Sequence, residues 1–183
     1  MGLPLAVELG RAGFRVIGLD TDADRVAAVN RGTSYIDDVQ DDVTAALVAQ
    51  GNLSATQDPS GAAGADAVII CVPTPLTRAK QPDLSYVDAA VGQLVPHLRR
   101  GQLIVLESTT YPGTTEERVK PILERSGLLA GRDFHLAFSP ERLDPGNAQR
   151  SIRSVPKIVG GLTPRCAELA CLLYQAISPK VVP

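Results

Sequence analysis

Short runs of branched apolar residues alternate along the chain with longer stretches whose apolar positions recur at helical spacing. The runs occupy residues 14–19, 67–72, 103–106 and 134–138, with a weaker one at 157–159. Near-continuous Val, Ile and Leu is the pattern of strands covered on both faces, as in a parallel sheet. Between the runs, Val87, Val91, Leu94, Val95 and Leu98 mark one helical face. Ser85 and Asp88 predict a capping box at the start of that helix, and Gly101 predicts its end. Thr114 with Glu117 predicts a second start, for a helix carrying Val119, Ile122 and Leu123 and closing before Gly127. A last helix is predicted from about Pro164 to Ile177, with Leu169, Leu172 and Leu173 turned inward. Strand followed by helix, repeated in this order, predicts right-handed crossovers and an α/β fold with a doubly wound, mostly parallel sheet.

The two ends depart from that scheme. A helical pattern with Leu5, Leu9 and Ala12 follows Met1-Gly2-Leu3-Pro4 at once, so the sheet is expected to lack its first strand. At the other end, residues 179–183 read as a strand just beginning. The 183 residues fit one domain, 1–183, incomplete at its N-terminus.

Composition narrows the functions open to such a domain. Hydrophobic residues make up 44% and charged residues 21%, ordinary globular usage. The net charge is −2, and no basic stripe is present to neutralise phosphates, which argues against nucleic-acid binding. No apolar run approaches the ~18 residues of a membrane span, and the N-terminus lacks the basic lead-in of a signal peptide. Three cysteines do not describe a disulfide framework, so a reducing cytoplasm is expected.

Candidate chemistry begins at Asp20, which closes the first apolar run 18 residues beyond Gly2. That is near the ~20 residues that separate the glycines of a dinucleotide-binding loop from its ribose-binding acid. A carboxylate at a strand tip accepts both ribose hydroxyls and repels a 2′-phosphate, which favours NAD over NADP. Arg25, one turn into the next helix, is placed to cover the adenine ribose. The alternative is that Asp20, Thr21 and Asp22 only cap the helix of Val26 and Val29. Of a G-x-G-x-x-G fingerprint only the last glycine, as Gly2, is present. Weak or absent NAD binding by these residues alone is therefore expected, together with an exposed sheet edge that favours association.

The runs GLPLAVELGRAGFRVIGLD (2–20), CVPTPLT (71–77), ESTTYPGTT (107–115) and SPERLDPGN (139–147) together resemble the UDP-glucose/GDP-mannose dehydrogenase family. The PTPLT and SPER-x-DPGN wordings are most similar to its UDP-N-acetylglucosamine and UDP-N-acetylmannosamine 6-dehydrogenases. The resemblance covers essentially the whole chain and implies a Rossmann-like NAD-binding domain. In the family, this domain is joined by a long helix to a nucleotide-sugar domain. The enzyme oxidises a sugar C6 alcohol to a carboxylate with two NAD, and a cysteine in the other half forms covalent intermediates. A UDP-sugar substrate, polysaccharide biosynthesis and a homo-oligomeric complete protein are likewise implied.

The resemblance also implies individual roles. Gly2 matches the third fingerprint glycine, and Asp20 and Arg25 match the pair that holds the adenine ribose. Val72, Pro73, Thr74 and Pro75 match a turn lying against the cofactor. Ser108 and Thr109 match a pair after the next strand, where the threonine helps hold the water near C6. Glu141 matches a glutamate of acid–base chemistry, with Arg142 and Leu143 at neighbouring substrate positions. Read without the family, Thr109 and Thr110 are turn residues before Pro112-Gly113, and Glu141 is a solvated loop acid.

No nucleophile is assigned: Cys71 lies in an apolar run, and Cys166 and Cys171 share a helix with Leu169 and Leu172. His97 and His135 read as structural, and the histidines and cysteines lack metal-ligand spacing. Two other functions stand beside the first. One is another NAD-dependent dehydrogenase of related fold, and the other is a non-catalytic, degraded Rossmann domain.

Overall fold

Residues 2–77, 80–140 and 155–183 are described by a computed structural model. Helix α1 (Gly2–Arg11) turns through Gly13, at φ +93°, into strand β1 (Val16–Leu19). Helices α2 (Ala23–Asn30) and α3 (Asp41–Ala49) then lead to β2 (Leu53–Thr56), which pairs parallel with β1. A 3₁₀ segment, Pro59–Gly64, crosses to β3 (Ala67–Ile70). Helix α4 (Ser85–Leu94) precedes β4 (Leu103–Leu106), and α5 (Lys120–Leu123) precedes β5 (His135–Phe138). Strands β3, β4 and β5 run parallel in that order. After β6 (Lys157–Ile158), the short β7 (Gly160–Gly161) adds antiparallel to β5. Helix α6 (Pro164–Gln175) follows, and β8 (Val181–Val182) pairs parallel with β6.

This is the α/β, mostly parallel arrangement that the alternating pattern predicts. It contains three strand or α-helix elements the pattern did not reveal, α3, β2 and the two-residue β7. Leu53 is the only large apolar residue in the four positions of β2, too little to mark a strand. The sheet is also divided. β1–β2 stands as one unit and β3–β4–β5–β7 as another, and among the described residues no strand pairs with the outer edges of β1 and β3.

Strand β4 shows why its run is apolar throughout. Ile104 and Leu106 enter a core with Val87, Val91 and Leu94 of α4 and with Val119, Ile122 and Leu123. Leu103 and Val105 enter the opposite core, with Leu5 and Leu9 of α1 and Ala170 and Tyr174 of α6. Each face of the strand is therefore dry, as doubly wound sheets require. Strand β1 differs from the expectation of two covered faces. Val16 packs inward, whereas Ile17 is 55% and Leu19 43% exposed. The six-residue 3₁₀ crossover contains no buried residue and covers little of that face.

Several helix ends differ from the predicted chemistry for identifiable reasons. Helix α4 is entered through Asp83, whose carboxylate accepts the Ser85 N–H at 2.9 Å; Ser85 and Asp88 form no capping box. Pro96 lacks the N–H needed to continue that helix, so it tightens into a 3₁₀ turn at Val95–His97. Thr114 does not cap; its hydroxyl donates to the Tyr111 carbonyl. The following turn, Thr115–Val119, widens to a π turn ahead of Pro121, which has no N–H to give. In α6 the inward face is Cys166, Ala170 and Tyr174, while Leu172 is 57% exposed. Gly161 is sterically required, because a Cβ there would sit 2.1 Å from the Ala167 nitrogen.

Candidate cofactor site

Parallel strands carry their following loops to one edge of the sheet, and three such loops hold the predicted residues. At the tip of β1, the Asp20 carboxylate accepts the Asp22 N–H at 2.9 Å, which fixes its orientation. Asp22 caps α2 by accepting from the Asp24 and Arg25 N–H groups. The two readings of this acidic tip thus separate: Asp22 does the capping, and Asp20 remains one-third exposed. Arg25 reaches back along the tip, 3.7 Å from Asp20 and 3.4 Å from Asp22. Gln57, beyond β2, donates to the Thr21 carbonyl and holds the loop from the other side.

The loops after β3 and β4 are tied to each other. The Ser108 hydroxyl accepts the Val72 N–H at 3.1 Å and donates to the Val72 carbonyl at 2.8 Å. Thr74 donates to the Thr109 carbonyl at 2.6 Å. Ser108 is buried and its hydroxyl is occupied, so its side chain acts as a staple between loops. Thr109, Pro73 and Pro75 are exposed, and Val72 and Thr74 are half-buried. Gly2 opens α1 beside this cluster: a Cβ there would lie 3.7 Å from that of Cys71, an ordinary contact. Helix α1 packs on both units, with Leu5 and Leu9 in one core and Leu3 and Val7 in another. The Asp20 cluster and the Ser108–Thr109 cluster are therefore set at strand ends on either side of one helix. Glu141, Arg142 and Leu143 lie outside the described residues.

Sequence reasoning overlooked an ionic cluster directly beneath the second group. Glu107, which follows β4, receives the Lys157 ammonium on one carboxylate oxygen and the Tyr174 hydroxyl on the other. The Glu107 side chain is 1% and that of Lys157 9% exposed. The Lys157 cation also lies 4.9 Å from the Tyr174 ring centre. Burial first, and then the Glu107 charge, push the Tyr174 phenol well above its ordinary range. The available signal was the acid itself, standing between an all-apolar run and Ser108. Tyr35 was overlooked as well; the Arg25 guanidinium lies 5.3 Å over its ring.

Neither histidine joins these clusters. His135 Nδ1 is 3.8 Å from Cys166 Sγ, which also accepts the Leu136 N–H at 3.4 Å. Cys166 is buried, Cys71 and Cys171 are half-buried, and none of the three is in a disulfide. Among the described residues, no group of three or more His, Cys, Asp or Glu could hold a metal ion. No described helix is long and apolar enough to cross a membrane.

A strand-tip acid, a paired arginine and stapled loops at the ends of parallel strands define a dinucleotide-binding α/β domain. Residues 1–178 match the model of the UDP-glucose/GDP-mannose dehydrogenase family, NAD binding domain, and the chain belongs to that family. Among its relatives is a UDP-N-acetyl-D-glucosamine 6-dehydrogenase of Pseudomonas aeruginosa, 38% identical over 97% of this chain and 41% of that protein. An NDP-N-acetyl-D-galactosaminuronic acid dehydrogenase of Ralstonia nicotianae is 39% identical over 96% of this chain and 43% of that protein. The solved UDP-D-ManNAc dehydrogenase of Pyrococcus horikoshii superposes with a TM-score of 0.91 at 32% identity, covering 99% of this chain and 44% of that one. The chain thus spans less than half the length of these relatives. The cofactor is NAD, as the family defines.

Proposed function

We propose that the chain forms the NAD-binding part of a nucleotide-sugar 6-dehydrogenase that oxidises the C6 alcohol of a UDP-sugar to a carboxylate. The observation that carries this reading is the fixed, partly exposed Asp20 carboxylate beside Arg25. It fits the adenosine ribose of NAD and opposes a 2′-phosphate. Gly2, the 72–75 turn, Ser108 and Thr109 would hold the rest of the cofactor along the same sheet edge. Oxidation of an alcohol to a carboxylate removes four electrons, so two NAD are consumed, and the second oxygen comes from water. Each NAD supplies a nicotinamide that accepts one hydride. Thr109, exposed on a backbone tied to Thr74, would orient that water, with Glu141 as the acid–base group and Arg142 and Leu143 at the sugar.

The names of the relatives support an N-acetylated UDP-hexose as the substrate class. None of the three cysteines stands at the Asp20 or Thr109 cluster as an exposed thiol. Turnover is therefore assigned to the protein that also carries a nucleotide-sugar half. Three cysteines that form no disulfide fit a reducing cytoplasm.

Calorimetric titration with NAD and NADP tests the reading. In a protein carrying both halves, the wild type is expected to prefer NAD, and Asp20→Asn to lose that preference and bind NAD more weakly. Loss of charge-assisted hydrogen bonds to the ribose amounts to about 1.5–3 kcal/mol. An unchanged preference in the variant would remove Asp20 from cofactor recognition. In a protein carrying both halves, NADH formation with UDP-N-acetylglucosamine or UDP-N-acetylmannosamine checks the reaction itself.

A further inference from the structure

The position of Tyr35 is set by the loop that carries it. Helix α2 is closed by Gly32, which is at φ +79° and where an added Cβ would lie 2.7 Å from the Ala45 Cα, so no side chain fits. Ser34 is then pinned on both sides. Its N–H donates to the Asp41 carboxylate at 2.7 Å, and its hydroxyl closes a small loop onto the Ile36 backbone. Ile36 packs against the core of Val29, Val39 and Leu47. Between these anchors Tyr35 is directed back to the β1 tip, where it is 39% exposed and lies beneath Arg25.

Arg25 is held at one edge by two carboxylates and on one face by this ring. The two carboxylates and the ring take up only part of the guanidinium, and its side chain remains 52% exposed. Guanidinium planes stack on aromatic faces, and a purine offers such a face. We propose that Tyr35 is a positioning residue that backs Arg25, so that an adenine ring stacks on the outer face of the guanidinium while Asp20 takes its ribose. This rests on the cofactor reading above and adds to it a ring–cation–purine stack. Burial and the nearby Asp20 charge raise the Tyr35 phenol above its ordinary range, so the ring stays neutral beneath the cation.

The test is an NMR titration of the 183-residue chain with AMP and ADP-ribose, which reads millimolar affinities. The wild type is expected to show shifts at Asp20, Arg25 and Tyr35. Tyr35→Ala is expected to weaken both ligands about two- to five-fold, the worth of one exposed cation–π contact. Tyr35→Phe keeps the ring and is expected to bind as the wild type does. In an Arg25→Met background, Tyr35→Ala is expected to have no further effect, because Tyr35 acts only through the cation. Thermal melts of each variant confirm that the fold is retained. Wild-type affinity in Tyr35→Ala, with Asp20→Ala impaired, overturns the role of Tyr35 and leaves the cofactor site standing. A further loss in the Arg25→Met background, or a Phe variant as weak as Ala, also overturns it. No shifts in the wild type with either ligand overturn both readings.

Discussion

Strands β1 and β4 read alike in sequence, VIGL against LIVL, but occupy different surroundings. Every residue of β4 is buried between two helical layers, and its loop is anchored by the Glu107–Lys157–Tyr174 cluster. β1 is covered on one face, and its tip acids remain accessible. The difference divides two tasks. The β3–β4–β5 unit fixes the position of the Ser108–Thr109 loop, whereas the β1 tip leaves Asp20 and Arg25 partly exposed, where the proposed cofactor would meet them. A ligand-binding tip is expected to tolerate substitution with little loss of stability, and a buried anchor is not.

The largest expected effect is therefore at Glu107. Glu107→Leu leaves the Lys157 ammonium buried without its counter-charge, which destabilises by about 3–5 kcal/mol. Combining it with Lys157→Met and Tyr174→Phe removes the ammonium and the hydroxyl left facing the new leucine, and part of the stability should return. Urea denaturation measures both. A triple variant no more stable than the single one would show that lost packing, not the unpaired charge, dominates. Asp20→Ala, measured alongside, should leave the midpoint nearly unmoved.

The same substitution in the two strands sharpens the contrast. Ile104 is fully buried and Ile17 is 55% exposed. Ile104→Ala should lose about 2–5 kcal/mol, because it opens a cavity between α4 and α5. Ile17→Ala should stay within about 0.5 kcal/mol. Equal losses would mean that the open face of β1 is covered in solution, by a second molecule or by a segment not described.

The sequence revealed these two regions unequally. Four main strands and most helices were legible, because their apolar residues are numerous enough to set a period. β2 was not, since only Leu53 of its four residues is large and apolar, and α3 was missed with it. The two-sided burial expected of every run holds for β4, but β1 lacks it because burial depends on what crosses the sheet. At the candidate site, Asp20 was legible from its spacing to Gly2 and Arg25 from its place one turn into the next helix. Tyr35 was not, because its role arises from a loop folding back onto α2. Glu107 stood within a quoted motif, but its partners lie 50 and 67 residues further along the chain. No local pattern brings residues that distant together.

A smaller difference should appear at low pH. Asp133, ahead of β5, accepts from Arg132, Arg100 and the Leu129 N–H, and its side chain is 3% exposed. Hydrogen bonds from Arg132 and Leu129 hold its carboxyl far below the usual carboxylate range. A depressed folded-state pKa stabilises fully above the unfolded value and is lost as pH falls toward the folded one. Melting temperature should therefore decline from about pH 4 downward, the unfolded carboxylate range. Asp133→Asn should remove part of that slope. A slope identical in the variant would assign the acid sensitivity to other carboxylates.

The smallest effect is expected at Gly2. The family resemblance gives this glycine a place where helix and strand approach closely, and a close approach forbids a side chain. The contact is 3.7 Å to the Cys71 Cβ, which a methyl group accommodates without displacement. Gly2 does not occupy the left-handed region either, unlike Gly13 or Gly32. Gly2→Ala should therefore change stability by no more than about 0.5 kcal/mol. Any loss it causes should appear in ADP-ribose affinity, where a methyl at the start of α1 meets the pyrophosphate. A variant that melts much lower but binds ADP-ribose unchanged would reverse that assignment and make Gly2 a packing residue. In that case the start of α1 would belong with β4 as structure, and the β1 tip alone would carry recognition.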